Sequence, residues 1–251
     1  MAALKKRLGL GMLLRSFTVQ GSWNYRTMQG AGIGFALIPV LRRLHGGDPR
    51  KLTEAVAQHA GFFNAHPYMS AVAISALARM ETERTDAEEI ERFKRALVGP
   101  LGALGDRLVW ARWRPFCLLL AILVYLAGAA WWVASGLFLV LYNALHLALR
   151  AWGMRLGWRH GRGVGRALMG SPLRRLPDRL TIPLAVVAGA LLPLMAATVS
   201  GASGIGSFPA IPIAISLTAL GAWRPAVAGR AAALGMLLLS IVFIVLGKVA
   251  W

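Results

Sequence analysis

Residues 115–149 read "PFCLLLAILVYLAGAAWWVASGLFLVLYNALHLAL", 35 positions without a charged side chain. At a helical rise this stretch is about 52 Å long, against a hydrocarbon core of ~30 Å. Two readings fit, one long tilted helix or a tight hairpin. Arg112 and Arg114 before the run and Arg150 and Arg155 after it place positive charge at both ends, which favours the hairpin. The whole chain agrees with a bilayer setting: of its 251 residues 57% are hydrophobic, mean hydropathy is +0.58, and only 15% are charged, where soluble domains have about 25%.

Beyond this run, Leu180 to Trp223 holds 44 uncharged residues interrupted by "SGASGIGSFP", room for two more spans. Ala231 to Gly247 supplies a last helix, with Lys248 and Trp251 as interfacial anchors. Ahead of residue 115 the apolar pieces are shorter: Met28 to Leu41, Ala55 to Ala78 with two histidines, and Leu97 to Gly105. Such pieces suit re-entrant or interfacial segments, whose open backbone survives at membrane depth only inside protein or along a wet cavity. The fold class expected is an all-α integral membrane protein with multiple transmembrane helices and re-entrant or interfacial segments in its N-terminal half. Residues 1–115 form one region and 116–251 a transmembrane region with an arginine-rich cytoplasmic loop at 150–180. Between the short pieces, "RMETERTDAEEIERFKRAL" (79–97) reads as a charged cytoplasmic helix with Thr85 or Asp86 as N-cap.

The formal charge is +18, but the basic residues flank apolar stretches instead of forming one patch. Eight arginines lie between Arg150 and Arg179, while nine of the ten acids lie at or before Asp106. That distribution follows the positive-inside rule and argues against nucleic acid. The lone Cys117 excludes an internal disulfide, no set of metal ligands is apparent, and no cofactor is expected. Arg15 interrupts the first apolar run, so a cleaved signal peptide is not expected.

Three clusters put hydrogen-bonding groups into this apolar background. In "QGSWNYRTMQG" (20–30) Asn24 and its polar neighbours offer amides and hydroxyls, and Trp23 offers a flat apolar face. That chemistry suits carbohydrate; the same residues would also serve as an interfacial aromatic belt. In "GFFNAHPYM" (61–69) Asn64 and His66 precede Pro67, which pushes the preceding residue out of helical geometry, so open backbone is expected beside both side chains. They read either as ligands to a polar substrate or as a satisfied structural pair. In "VGPLGALGDRLVW" (98–110) the density of glycine and proline suggests a turn leading into Asp106, either a buried carboxylate for a substrate or merely a partner of Arg107 or a helix cap. Asn143 and His146, one helical turn apart, suit interhelical hydrogen bonding.

In this order and spacing the motifs resemble the IID membrane component of the mannose/fructose/sorbose family of the bacterial sugar phosphotransferase system. The resemblance runs from about residue 16 to 161, carried by "QGSWNYRTMQGAGIGFALIPVLRRL", "HAGFFNAHPYMSAVAISALARME", "LVGPLGALGDRLVWARWRP" and "LYNALHLALRAWGMRLGWRHG". It implies a multi-pass subunit of the bacterial inner membrane that pairs with a IIC membrane chain to bind and move a hexose. A cytoplasmic IIB subunit, charged by IIA, would phosphorylate the sugar. This chain would then be a hetero-oligomer subunit with no catalytic residues of its own, binding substrate through Trp23, Asn24, Asn64, His66 and Asp106. Departures from the family pattern are Arg26 and Thr27 after the first motif's tyrosine, Arg107 after the aspartate, and the small-residue exchanges in "GALG". These departures leave a second reading open, a degenerate IID-like sensor or scaffold without transport activity.

Overall fold

The computed structural model describes residues 6–199. Its α-helices are α1 (Lys6–Ser16), α2 (Gly30–His45), α3 (Pro49–Ala60), α4 (Ser70–Thr82), α5 (Ala87–Gly105), α6 (Arg114–Leu126), α7 (Trp131–His160), α8 (Val164–Met169), α9 (Leu176–Arg179) and α10 (Thr181–Val199). A π-helical stretch, Asp106–Trp113, joins α5 to α6. No strand forms among the described residues, only two isolated bridges, Asn24 with Met28 and Met28 with Phe63. Two helical runs, Ala87–Leu126 and Trp131–Leu191, are long and apolar enough to cross a membrane. Of the spans expected after Leu180, α10 is described; the remainder, including Ala231 to Gly247, Lys248 and Trp251, lies outside the described residues.

The uncharged run folds as the hairpin. α6 stops at Leu126, Gly128 turns the chain at a φ of +100° that a residue with a Cβ would resist, and α7 begins at Trp131. Trp113 Nε1 donates to the Leu141 carbonyl at 3.2 Å, joining the two arms. α7 then continues through Arg150 to His160, so the first third of the expected loop at 150–180 is helix. The rest of that segment is a succession of short turns, Gly161–Gly163, α8, Pro172–Arg174 and α9.

The chain packs as two units. Among the described residues, the first comprises those up to Val109 together with Asn143–Arg174, and the second comprises Trp110–Tyr142 and those from Arg175 onward. In the second, α6 lies against α10, and Arg112 Nε donates to Thr181 Oγ1 at 3.2 Å.

In the first unit α4 is the central element, lying against α1, α2 and α5. Its residues 70–78 and Met80 are buried on every side, and serine and alanine dominate them. Small side chains let neighbouring backbones approach to close van der Waals contact. Gly157 of α7 shows this directly: a Cβ there would overlap Ser75 Oγ and the Val72 carbonyl of α4. One turn earlier, Ser75 Oγ donates to the Gly153 carbonyl at 3.1 Å.

Residues 79–97 are not one helix. α4 ends at Thr82, Arg84 takes a φ of 55°, and α5 starts afresh with Asp86 as N-cap, its carboxylate accepting from the Glu88 and Glu89 amides at 3.0 and 3.4 Å. The turn expected at 98–105 is absent, because α5 runs straight through Gly99, Pro100 and Gly102. Glycine immediately before Pro100 has no Cβ to clash with the pyrrolidine ring, which removes part of the usual obstacle to a proline inside a helix.

Candidate functional site

The three polar motifs meet around residues 61–69. Met28 holds a φ of 52°, left-handed backbone that a methionine adopts only when its surroundings impose it. What imposes it is the loop: the Gln29 amide donates to the Phe63 carbonyl at 2.8 Å and the Phe63 amide donates to the Thr27 carbonyl at 3.2 Å. Gln29 itself is buried; its Nε2 donates to the Ala65 carbonyl at 2.5 Å and its Oε1 accepts from Ser70 Oγ at 2.8 Å. The first motif is thus fastened to both ends of the second.

The third motif closes the other side. Gly105 lies so near His66 that a Cβ on it would overlap the His66 Cβ and ring. Gly105 serves close packing of a helix on a loop, whereas a Cβ on Gly99 would meet nothing within 4 Å and one on Gly102 would make ordinary contact with the Ala65 Cα at 3.9 Å. Where the loop begins, Lys94 of α5, fully buried, donates to the Gln58 and Gly61 carbonyls at 3.2 and 3.1 Å, capping the end of α3.

From Phe62 to Ala65 burial alternates along the loop. Phe63, Ala65 and His66 point inward and are buried, while Phe62, 48% exposed, and Asn64 point outward. Asp106, the residue after Gly105, is also exposed. Trp23 is 43% exposed and meets Tyr25 edge to face at 4.9 Å. Asn24 is occupied by its own turn: Nδ2 donates to the Ser22 carbonyl and Thr27 Oγ1, and Oδ1 accepts from the Arg26 and Thr27 amides. His66 lies behind the loop, its Nδ1 accepting from the Tyr68 amide at 3.2 Å. Burial, with the Arg150 cation beside it, pulls His66 down from the ordinary 6.5 to about 4.

The expected site residues therefore fall into two sets. Trp23, Asn64 and Asp106 present themselves outward, and Asn24 and His66 hold the backbone that carries them. Sequence reading missed a third layer behind these. Tyr68 stacks on His146 of α7 at 3.9 Å, and Arg150 Nε donates to His146 Nε2 at 2.7 Å. His146 thus works within its own helix and against a ring, where an interhelical hydrogen bond was expected. The available signal was a histidine and an arginine four residues apart on an apolar helix.

Three comparisons with known proteins bear on this arrangement. The family description "PTS system mannose/fructose/sorbose family IID component" matches residues 3–206. The mannose-specific EIID component of Escherichia coli strain K12 is 31% identical over 187 residues, covering 72% of this chain. The match spans 65% of that relative's own length. The sorbose-specific EIID component of Klebsiella pneumoniae is 31% identical over 210 residues, covering 78% of this chain and 75% of its own. The fructose permease IID component of Bacillus subtilis strain 168 is 29% identical over 194 residues, covering 75% and 70%. Among solved structures, a chain of the mannose transporter ManYZ in complex with microcin E492 superposes with a TM-score of 0.60 at 30% identity, over 76% of this chain and 71% of that one. A match of this extent, on a helical fold whose three motifs converge in space, makes the chain a member of the mannose/fructose/sorbose family of PTS IID components.

Proposed function

We propose that this subunit binds a hexose at the 61–69 loop and moves it across the bacterial inner membrane as a multi-pass partner of a IIC chain. A cytoplasmic IIB subunit, recharged by IIA, phosphorylates the sugar. The Asn64 amide and the Asp106 carboxylate supply hydrogen bonds to hydroxyls, and Trp23 supplies an apolar face for sugar C–H groups. Asn24 and His66 act from behind, keeping the first turn and the loop in shape. The reading rests on one observation: the loop is fastened by the first motif at Phe63 and Ala65 and by the third at His66, which leaves Asn64 pointing outward. A rigid outward amide keeps ordering costs low when it replaces water at a hydroxyl.

The test is sugar uptake by vesicles holding the assembled complex. Asn64→Ala and Asp106→Ala are expected to abolish most uptake while the complex still purifies intact. Full uptake in both variants refutes the assignment.

A further inference from the structure

Arg150 is a cation only 2% exposed, and among the described residues no carboxylate pairs with it. A buried charge of this kind is costly unless something else neutralises it. Three things do. Its Nη1 donates to the Ser16 carbonyl and, at 3.0 Å, to Ser16 Oγ. Ser16 is the last residue of α1, and its carbonyl, at the negative end of the helix dipole, otherwise accepts a long bond of 3.4 Å from the Val19 amide. Its Nε donates to His146 Nε2 at 2.7 Å, which fixes that nitrogen as the acceptor. Its guanidinium carbon lies over the rings of Phe17 at 4.7 Å and Tyr68 at 5.6 Å, so two aromatic faces take up positive charge.

These contacts reach two separate segments. Ser16 and Phe17 lead directly into the first motif. Tyr68 ends the 61–69 loop; it stacks on His146 with an interplanar angle of 12° and meets His66 edge-on at 4.9 Å. Only a planar fork can donate to Ser16 and His146 at once while lying over two rings; an ammonium is a point charge on a flexible stem. One guanidinium therefore sets the start of the first motif and the end of the second against each other.

We propose that Arg150 is a positioning residue for sugar uptake: through Ser16 and Phe17 on one side and the His146 and Tyr68 stack on the other, it holds the loop that presents Asn64. This rests on the reading of Asn64 as a sugar ligand given above. Arg150 itself does not touch the sugar.

The experiment measures uptake in vesicles containing the assembled complex, with Arg150→Lys, Asn64→Ala and the two combined. Misplacing a binding group by an ångström is enough to cost one to two orders of magnitude, so Arg150→Lys is expected to raise KM by about tenfold with maximal uptake little changed. The double variant is expected to be no worse than Asn64→Ala alone, because Arg150 acts only by placing that amide. Losses that multiply in the double variant mean that Arg150 acts independently of Asn64, and overturn the proposal. An Asn64→Ala variant with unchanged uptake removes the sugar site and the proposal with it, a result distinguishable from multiplication. If Arg150→Lys does not assemble, Tyr68→Leu takes its place. It removes the ring through which Arg150 reaches the loop and is expected to give the same rise in KM and the same lack of further loss with Asn64→Ala; a wild-type KM in Tyr68→Leu overturns the proposal.

Discussion

Gly105 and His66 touch with no room for a methyl group between them: the bare Cα of a helix rests on the imidazole of a loop. Gly105→Ala must push that ring away from α5, and with it the backbone that carries Asn64. Overpacking of this kind costs about 1–3 kcal/mol. The expected result is a lower melting temperature of the purified protein together with weakened sugar uptake. Gly136→Ala is the control, since nothing lies within 4 Å of a Cβ there and alanine suits a helix better. An unchanged melting temperature in Gly105→Ala removes this contact from the account of the site.

His66 gives the protein a pH dependence whose sign is set by its environment. Its folded-state value is lowered to about 4, against 6.5 in the unfolded chain. Between these values the unfolded chain binds the extra proton, so stability rises with pH. The contribution is fully present above pH 6.5 and is lost as pH falls towards 4. The incoming proton takes Nδ1, which accepts from the Tyr68 amide, and so opposes that hydrogen bond. At pH 5 the loss is about 2 kcal/mol. Melting temperatures at pH 7 and pH 5 should therefore differ more for the wild-type protein than for His66→Gln. Equal differences count against a neutral buried imidazole.

Much of this architecture was legible from charge and length alone. The uncharged run with arginines at both ends fitted a long tilted helix or a hairpin and favoured the hairpin, whose turn Gly128 supplies. The polar clusters in the front half pointed to the proposed site, since Asn64 and His66 are hydrogen-bonding groups set in an apolar stretch. What could not be read was which of them faces outward. Alternation from Phe62 to Ala65 decides it, and that depends on the bridges to Thr27 and Gln29, far away in sequence. The glycines of the third motif misled for a related reason. Glycine serves both turns and close approach, and only the position of His66 against Gly105 distinguishes the two. Arg150 was hidden by its neighbours: at the edge of a basic segment it resembled the other arginines, although it alone among the eight is buried.

Gln29 carries two buried bonds that no neighbour replaces. Truncation to alanine leaves the Ala65 carbonyl and the Ser70 hydroxyl without their partner, although Ser70 Oγ keeps a longer contact of 3.4 Å with the His66 carbonyl. An unsatisfied buried group costs about 1–3 kcal/mol. Gln29→Ala is expected to lower the melting temperature and to expose the amides of residues 63–66 to hydrogen exchange. Ser70→Ala, which removes one bond and leaves the Ala65 carbonyl satisfied, is expected to have the smaller effect. The reverse order would mean that Gln29 does not bridge the two motifs.

The α4 to α7 crossing depends on Gly157 as the packing of α5 on the loop depends on Gly105. A Cβ at 157 would meet the Val72 carbonyl and, at 2.8 Å, the Ala76 amide nitrogen; both are backbone atoms of a buried helix and cannot rotate aside. The helices have to separate, which also stretches the bond from Ser75 Oγ to the Gly153 carbonyl. Overpacking and a weakened hydrogen bond together cost about 2–4 kcal/mol. Gly157→Ala is therefore expected to lower the melting temperature at least as much as Gly105→Ala, whose nearest obstacle, the His66 Cβ, is likewise fixed to its backbone. Gly165→Ala, with open space around the added methyl, is expected to leave it unchanged. If Gly157→Ala melts like the wild type, α4 and α7 do not cross at van der Waals contact, and the support that Arg150 draws from α7 has to come from elsewhere.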